Sequence, residues 1–207
     1  MVNTGKHIGM AFLLAMLSIS FESRAQEDFN EFPYHGIIRA SASFGTGFMP
    51  KSDLQNVYMH GDLEYYLNKR ISVRSEAFYF FNVLNNDNPP LLMNHQLFSG
   101  ALYHFRPDKP LDLYVGFQPG IAYSQSSDVP CNTCITRDAT EVPSNKTFNP
   151  LVSGMAGVNY YATKIFHFFI SARYLTGTHL SNKTPLSLNE FRVSFGLGLN
   201  FRTKQME

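Results

Sequence analysis

The chain has 207 residues, and its 17 Lys and Arg nearly balance its 16 Asp and Glu, which leaves a formal net charge of +1. This balance lacks the basic excess of nucleic-acid-binding domains, so we expect no nucleic-acid partner. Two cysteines exclude a disulfide-dense scaffold, while an aromatic content of 14% and 14 glycines favour β-structure. After residue 21 no apolar run reaches the length of a transmembrane helix, and the remaining length suits one domain.

The amino terminus has the pattern of a secretory signal peptide. A weakly basic start precedes residues 8–21 (IGMAFLLAMLSISF), which carry no charge, and residues 23–25 place small side chains where a signal peptidase reads them. A membrane anchor is the weaker alternative, because the apolar run falls short of the roughly 18–20 residues that span a membrane. We therefore expect residues 1–25 to be removed on export and residues 26–207 to form the mature domain.

Eight segments of the mature chain alternate between apolar and polar residues with a period of two, which predicts strands with two different faces. In chain order these predicted strands are residues 37–44, 57–67, 71–81, 96–105, 111–123, 152–162, 166–174 and 189–201. In the register that groups the apolar residues, that face contains no Asp, Glu, Lys or Arg. The opposite face contains Arg39, Asp62, Glu64, Arg74, Glu76, Asp112, Arg173, Glu190 and Arg192, together with His60, His104 and His167.

The lengths of the predicted strands and of their connections are typical of a transmembrane β-barrel. Many predicted strands exceed the ~5–6 residues usual in globular proteins and match the ~9–11 residues of a tilted transmembrane strand. Short connections at 68–70, 106–110 and 163–164 alternate with long ones at 45–56, 82–96, 124–151 and 175–190. Aromatic residues cluster near both ends: Tyr65, Tyr66, Tyr103, Tyr160, Tyr161 and Phe201 near the turns, and Phe44, Tyr79, Phe81, Tyr123 and Tyr174 near the loops. We predict an all-β, eight-stranded, antiparallel up-and-down transmembrane β-barrel with short periplasmic turns and long extracellular loops.

The polar face then becomes the inside of the barrel. Eight strands enclose a bore that side chains fill, and buried charges persist there when they are paired. We therefore predict a packed polar core rather than a general diffusion pore, with glycines of the last strand leaving room for arginine side chains. The predicted salt-bridge network comprises Arg39, Asp62, Glu64, Arg74, Glu76, Arg173, Glu190 and Arg192.

Two stretches carry a family resemblance across almost the whole mature chain. GALYHF (100–105) and the closing FRVSFGLGLNF (191–201) resemble the small eight-stranded outer-membrane β-barrel proteins of the porin-like superfamily. The last strand is similar to the signal read by the barrel-assembly machinery, although residues 202–207 follow it. The resemblance implies a monomer in the outer membrane of a Gram-negative bacterium, in contact with outer-membrane lipid and lipopolysaccharide. It leaves the activity open, since the family includes structural barrels, adhesins, small-ligand transporters and lipid-modifying enzymes.

One motif suggests an enzyme. THLSN (178–182) resembles the His-x-Ser-Asn motif of the outer-membrane lipid A 3-O-deacylases. That resemblance implies Ser181 as nucleophile, His179 as general base and Glu190 as orienting acid. Strand parity, however, directs the histidine and the serine inward, away from lipid. The alternative interpretation is a polar extracellular loop, with the glutamate paired to Arg192 inside the barrel.

Cys131 and Cys134 (CNTC) lie in the longest predicted loop. The pair could form a redox centre or contribute two metal ligands, but after export a local disulfide is the expected state. We predict no metal site and no cofactor.

The sequence favours a non-enzymatic outer-membrane barrel with an envelope-structural role, or a surface-interaction role through its extracellular loops, whose partner is unknown. A lipid A 3-O-deacylase is one alternative. A narrow channel or small-ligand transporter is the other.

Overall fold

Nine strands account for most of the chain that the structure describes. A computed structural model describes residues 36–86, 89–107, 109–126, 146–180 and 186–202. The strands are β1 (Ile37–Met49), β2 (Leu54–Tyr66), β3 (Ile71–Val83), β4 (Leu91–His104), β5 (Leu111–Ser126), β6 (Thr147–Tyr161), β7 (Phe166–His179), β8 (Leu186–Ser187) and β9 (Glu190–Arg202). The predicted signal peptide, Cys131, Cys134 and Ser181 lie outside the described residues.

The eight long strands close into a barrel. Each pairs antiparallel with the strand before it and the strand after it, apart from the two-residue β8, which pairs with the end of β7. Closure comes from β1 and β9, whose register runs from Ile37↔Arg202 to Phe48↔Phe191. The predicted eight-stranded antiparallel barrel is confirmed. Within the described ranges, no helix is long and apolar enough to cross a membrane.

The barrel wall is apolar on the outside and mainly polar at the matching inward positions. Side chains of the predicted apolar face point outward, for example Phe195 at 68% exposure and Leu63 at 61%. The charged residues of the other face are buried, as the alternation of exposed and buried positions along β3 shows. A continuous apolar exterior of this extent is unfavourable in water and suits contact with lipid.

The strands run further than predicted at one end of the barrel. We call this end the loop end; its connections are residues 50–53, 84–90, 127–146 and 180–189. The opposite end is the turn end, and its connections are residues 67–70, 105–110 and 162–165. The first predicted long loop, residues 45–56, is reduced to the four-residue connection 50–53, in which Asp53 has a φ of 50°. Alternation weakens in these extensions because polar residues such as Thr46 and Gln55 occupy outward positions there while apolar ones such as Leu54 point inward, so the predicted strands end too early.

The inside has two layers rather than one polar core. Charged side chains fill the half near the turn end, whereas the half near the loop end holds an apolar cluster, here called the apolar cap, beside buried polar side chains such as Asn56, His179 and Glu190. Its buried members are Met49, Leu54, Tyr58, Phe78, Phe80, Val83, Leu91, Phe98, Ala122, Leu151, Leu175 and Leu188. The prediction of a wholly polar core was therefore wrong for this half. Most of these residues lie in or beside the strand extensions, where the predicted alternation did not reach.

Candidate functional site

An ion cluster fills the half of the barrel near the turn end. Arg74 lies at its centre: its Nη2 is 2.6 Å from Glu64 Oε2, its Nη1 is 3.5 Å from Glu76 Oε1, and its Nε is 4.0 Å from Asp62 Oδ1. Arg39 Nη2 lies 3.7 Å from the same oxygen of Glu64. We call these five residues, with Arg173, the lower ion cluster.

Strand register brings these charges together. Arg39 is the direct neighbour of Glu64 across β1 and β2, and Glu64 is the direct neighbour of Arg74 across β2 and β3. The same register sets Asp62 opposite Glu76, and two acids side by side repel each other. Cations offset this repulsion, because Arg173 and Arg74 both contact Glu76. All these side chains are buried, where a charge is stable only if it is paired and hydrogen-bonded.

Ser72, His104 and Asp112 extend the lower ion cluster. Glu64 accepts a hydrogen bond from Ser72 Oγ at 2.5 Å, and its Oε1 lies 3.0 Å from His104 Nε2. The other ring nitrogen of His104, Nδ1, is 2.6 Å from Asp112 Oδ2. Every oxygen of Glu64 therefore has a partner. The sequence had placed the histidine and Asp112 on this face, but it carried no sign of the serine.

Two tyrosines expected in the turn-end aromatic belt belong to this cluster instead. Arg39 Nη1 donates hydrogen bonds to the hydroxyls of Tyr66 and Tyr161, the latter at 2.8 Å, and both rings are buried. The prediction was wrong for these two residues, whereas Tyr65 and Tyr160 do point outward. Adjacent residues of a strand face opposite sides, so strict parity would have separated the members of each Tyr-Tyr pair.

A second polar group lies at the height of the apolar cap, because Asn56 pairs with Val83 across β2 and β3 and Glu190 pairs with Leu175 across β9 and β7. Glu190 Oε2 accepts hydrogen bonds from Arg192 Nη2 at 2.8 Å and from the Tyr58 hydroxyl at 2.9 Å, and Asn56 Nδ2 donates to its Oε1 at 3.4 Å. The Tyr58 hydroxyl also accepts from Asn94 Nδ2 at 3.2 Å. A further contact adds Gln96, whose Oε1 accepts from Arg192 at 3.0 Å. We call the six residues the Tyr58 cluster: Asn56, Tyr58, Asn94, Gln96, Glu190 and Arg192.

Several polar atoms of the Tyr58 cluster have no hydrogen-bond partner among the described protein atoms. They are two acceptors, Oδ1 of Asn56 and Oδ1 of Asn94, and three donor nitrogens, Nε2 of Gln96 with Nε and Nη1 of Arg192. All four side chains are at least nine-tenths buried. Buried polar groups are usually paired in folded proteins, because an unpaired one carries a desolvation penalty. The cluster can therefore bind further hydrogen-bonding groups of either polarity.

Aromatic rings separate the lower ion cluster from the Tyr58 cluster. Arg173 and Arg192 are direct cross-strand neighbours on β7 and β9 and carry like charges. Arg192 Cζ lies 3.8 Å from the centre of the Tyr58 ring and 4.3 Å from that of Phe78, while Arg173 Cζ lies 4.6 Å from that of Phe98. Cation–π contacts of this kind stabilise buried guanidinium groups. The rings thus let two arginines lie side by side.

Glycines make room for these side chains at the points of closest approach. A Cβ atom on Gly47 would collide with the Glu190 carboxylate, so any side chain at this position in β1 would displace that carboxylate. In β9 a Cβ atom on Gly196 would meet the Ala42 carbonyl and Ser43 Cβ first, and one on Gly198 would meet the His167 ring. The expectation that these β9 glycines make room for arginines was therefore wrong.

The predicted catalytic residues His179 and Glu190 occupy different parts of the lumen. His179 Nδ1 lies 2.9 Å from Ser124 Oγ and 3.3 Å from Thr147 Oγ1 and Asn149 Nδ2, while Glu190 is bound within the Tyr58 cluster. Glu190 pairs with Leu175, four residues before His179 on β7, which corresponds to about 13 Å along the strand at ~3.3 Å per residue. A triad needs its base and acid within hydrogen-bond reach. Both side chains are buried at 0% exposure, so neither faces lipid.

No set of three or more His, Cys, Asp or Glu side chains in the described ranges is placed to hold a metal ion. The lower ion cluster pairs its carboxylates with arginine and histidine instead.

Comparison with known proteins identifies the fold. No protein-family model matches the chain, and no curated protein sequence matches it significantly. Among solved structures, OprG from Pseudomonas aeruginosa aligns with a TM-score of 0.58 at 13% identity, over 82% of this chain and 97% of that chain. The N-terminal β-barrel domain of OprF from the same species aligns with a TM-score of 0.52 at 16% identity, over 81% and 98%. Neisserial surface protein A gives 0.52 at 14% identity, over 81% and 96%. This chain therefore has the fold of the small eight-stranded outer-membrane β-barrel proteins.

Proposed function

We propose that the chain is an integral outer-membrane protein of a Gram-negative bacterium. In this proposal it is axially closed and non-enzymatic, with an envelope-structural or surface-interaction role through its extracellular loops. The fold, the apolar exterior and the predicted signal peptide support this location. In this membrane the loop end faces outward, the exterior contacts lipid and lipopolysaccharide, and insertion depends on the barrel-assembly machinery. The monomer needs no partner chain, because β1 pairs with β9 and the first and last long strands therefore leave no open sheet edge.

The observation that carries this proposal is the double closure of the lumen. A solute moving along the axis from the loop end meets the apolar cap together with the Tyr58 cluster, and then the lower ion cluster. Eight strands enclose an interior that side chains can fill. The apolar cap opposes ions by dehydration, and the lower ion cluster has its charges mutually compensated. Neither layer offers a continuous aqueous path.

Planar-bilayer recording tests the closure. We expect full-length protein to give no steady conductance state. The same preparation must show a shift in gel mobility on boiling, which demonstrates that a folded barrel was inserted. A reproducible open state would overturn the proposal in favour of the narrow channel or small-ligand transporter.

Mass spectrometry of lipid A tests the non-enzymatic role. Cells with the protein and cells without it should have the same acyl pattern, and Ser181→Ala should change nothing. The separation of His179 from Glu190 supports this expectation. Loss of one acyl chain that depends on Ser181 would replace the proposal with the deacylase.

A further inference from the structure

An open apolar groove crosses the outside of the barrel wall over β5, β6, β7 and β9. Its volume is about 700 Å³, which is within the range of small-molecule binding sites. The floor is one row of outward residues, Val115, Ala156, Ala172 and Val193, each of which is the direct cross-strand neighbour of the next. We call this feature the wall groove.

The wall groove exists because its floor residues are smaller than their neighbours. Residues two positions apart on a strand share a face, so the rows on either side of the floor also point outward. The row nearer the loop end includes Phe117 at 64% exposure and Tyr174 at 50%. The row nearer the turn end includes Ile170 and Phe195, which are also exposed. The surface is therefore recessed along the alanines between two ridges of large side chains.

The wall groove lies in the half of the apolar exterior near the turn end. Ala156 is four residues from Tyr160, an outward tyrosine near the turn end, which is about 13 Å along the strand at ~3.3 Å per residue. It is eight residues from Phe148, the outward aromatic residue at the loop end of the same strand. In a membrane the groove therefore faces the leaflet at the turn end.

Two connections lie side by side at the turn end of the wall groove. The connection 105–110 leads into β5, and the connection 162–165 leads out of β6. The backbone N–H of Tyr161 donates a hydrogen bond to the carbonyl of Pro110 at 2.8 Å and links the two connections. Phe105, the first residue of the earlier connection, also lines the groove. The groove is thus continuous with this part of the turn end.

These two connections carry an excess of positive charge. Arg106, Lys109 and Lys164 are exposed at the turn end of the groove. The sequence places one acid, Asp108, among them, which leaves a net charge of +2. Long basic side chains can follow apolar surface with their stems and keep the charged group at the membrane interface. A lipid in the groove would therefore have its headgroup near cations.

The charge of the turn end differs from that of the loop end. The three connections at the turn end contain five Lys and Arg against one Asp, a net charge of +4. The four connections at the loop end contain four Lys and Arg against five Asp and Glu, a net charge of −1. A cluster of cations at one membrane interface attracts anionic lipid.

Charge also distinguishes among the molecules that could cover the groove. A second copy of this chain, docked by the same face about a two-fold axis, would bring like cations together. A zwitterionic phospholipid has no net charge to attract them. The phosphates of lipopolysaccharide lie in the other leaflet when the loop end faces outward. An anionic phospholipid in the leaflet at the turn end matches both the apolar groove and the cations beside it.

We propose that the wall groove, with Arg106, Lys109 and Lys164, is a binding site for one anionic phospholipid. An acyl chain packs on the floor at Ala156 and Ala172, and the phosphate contacts the cations of the two connections. This inference rests on the proposed membrane location and adds to it the lipid class and the leaflet.

Photolabelling of full-length protein in phosphatidylcholine liposomes tests the site. The probe is phosphatidylglycerol with a diazirine on one acyl chain, the reference probe is phosphatidylcholine with the same chain, and mass spectrometry locates the adducts. We expect several-fold more labelling of Ala156 and Ala172 by the anionic probe, because the cations favour it. Ile121 and Phe148, outward residues nearer the loop end, should label equally with both probes.

The outcome also separates this site from the proposed function. Absence of a gel-mobility shift on boiling would contradict the inserted barrel and the site together. A folded barrel whose groove labels equally with both probes would contradict the site alone. Stronger displacement of the probe by lipid A than by phosphatidylglycerol, or crosslinks between two copies of the chain through the groove, would overturn the proposal in favour of another occupant.

A charge variant tests the headgroup contact. Lys109→Gln/Lys164→Gln should lower the preference for the anionic probe at least fivefold, since each cation near an anionic surface strengthens binding about fivefold. The matched control, Lys51→Gln/Lys69→Gln, loses the same charge at two other exposed connections and should keep the preference. The preference of the parent protein should also fall as salt is raised. A preference that is equal in both variants or insensitive to salt would exclude the cations as the headgroup site.

A filled floor tests the groove itself. Ala156→Phe places a ring in the recess without entering the lumen, because this side chain points outward. We expect the labelling of Ala172 by the anionic probe to fall several-fold. Ala77→Phe, at an outward alanine of β3, is the control and should leave it unchanged. Undiminished labelling of Ala172 in Ala156→Phe would show that the acyl chain does not lie on this floor.

Discussion

The two halves of this barrel are built on different physical principles. In the half near the turn end, strand ladders without register shifts enclose charges that compensate one another, and connections of four to six residues join the strands. In the half near the loop end, an apolar cluster shares the lumen with neutral polar side chains, bulges interrupt the ladders, and one wall seam depends on a histidine. Charged pairs are directional and require a fixed wall, whereas apolar packing is non-directional and tolerates a movable one. We therefore expect rigidity at the turn end and adaptability at the loop end.

The largest effect should come from removing the centre of the lower ion cluster. Arg74→Met leaves Glu64, Asp62 and Glu76 without their shared cation, and breaking a buried ion pair from one side costs about 3–5 kcal/mol. Urea unfolding in lipid vesicles, followed by gel mobility without boiling, measures the loss.

Arg70→Met is the control for that variant. Arg70 lies in an exposed turn, where Nη1 donates to the Tyr103 hydroxyl at 3.2 Å, and surface contacts of this kind are worth about 0–1 kcal/mol. Equal destabilisation by the two variants would show that the lower ion cluster contributes nothing beyond a surface contact.

A cavity in the apolar cap should have the next largest effect. Leu175→Ala removes a side chain at 0% exposure, and large-to-small core substitutions cost about 2–5 kcal/mol. The matched control is Leu63→Ala on the lipid face, where lipid can fill the space and we expect a loss below about 1 kcal/mol. If Leu175→Ala were as mild as its control in the same unfolding assay, the cap would not be a packed layer.

The sequence predicted which side chains face the lumen and which face outward better than it predicted which residues fill the lumen. Alternation places Arg39, Glu64 and Arg74 on one face, and strand pairing makes them neighbours once the register is known. The apolar cap was missed because residues such as Met49 and Leu54 lie where the pattern becomes irregular. An inward apolar residue also cannot be distinguished from an outward one without a register.

Long-range register explains the remaining differences. The motif around His179 suggested a partnership with Glu190, but β7 and β9 pair so that the two side chains lie at different heights. The bulge at Phe81 depends on how β2 aligns with β3, and no local signal in FYFFNV marks it. By contrast Glu190 and Arg192, two residues apart on one strand, contact each other directly. A contact between residues two apart on one strand can be predicted from the alternation of side chains alone, without knowledge of the register between strands.

Gly47→Ala changes a residue at the boundary between the two halves, and we expect an intermediate loss of stability. The added methyl group would meet the Glu190 carboxylate and displace it from Arg192, and overpacking of this kind costs about 1–3 kcal/mol. Gly154→Ala is the control, because a Cβ there meets nothing within 4 Å. We expect the control to match the parent protein in urea unfolding. A neutral Gly47→Ala would mean that Glu190 moves without cost.

The smallest effect should come from the seam between residues 79–83 of β3 and 91–95 of β4, where the ladder has ended at Phe78↔Gln96 and the wall depends on the side chain of His95. His95→Ala removes the acceptor of the Phe80 N–H, so we expect a loss of about 0.5–1.5 kcal/mol, confined to this seam. Hydrogen–deuterium exchange read by solid-state NMR should show Phe80 exchanging up to about tenfold faster, with amides of the closed β3–β4 ladder below Phe78 unchanged. Faster exchange along the whole ladder would instead mean that His95 stabilises the barrel as a unit. Since the ladder below holds its own register through Phe78↔Gln96, local opening is what the pairing predicts.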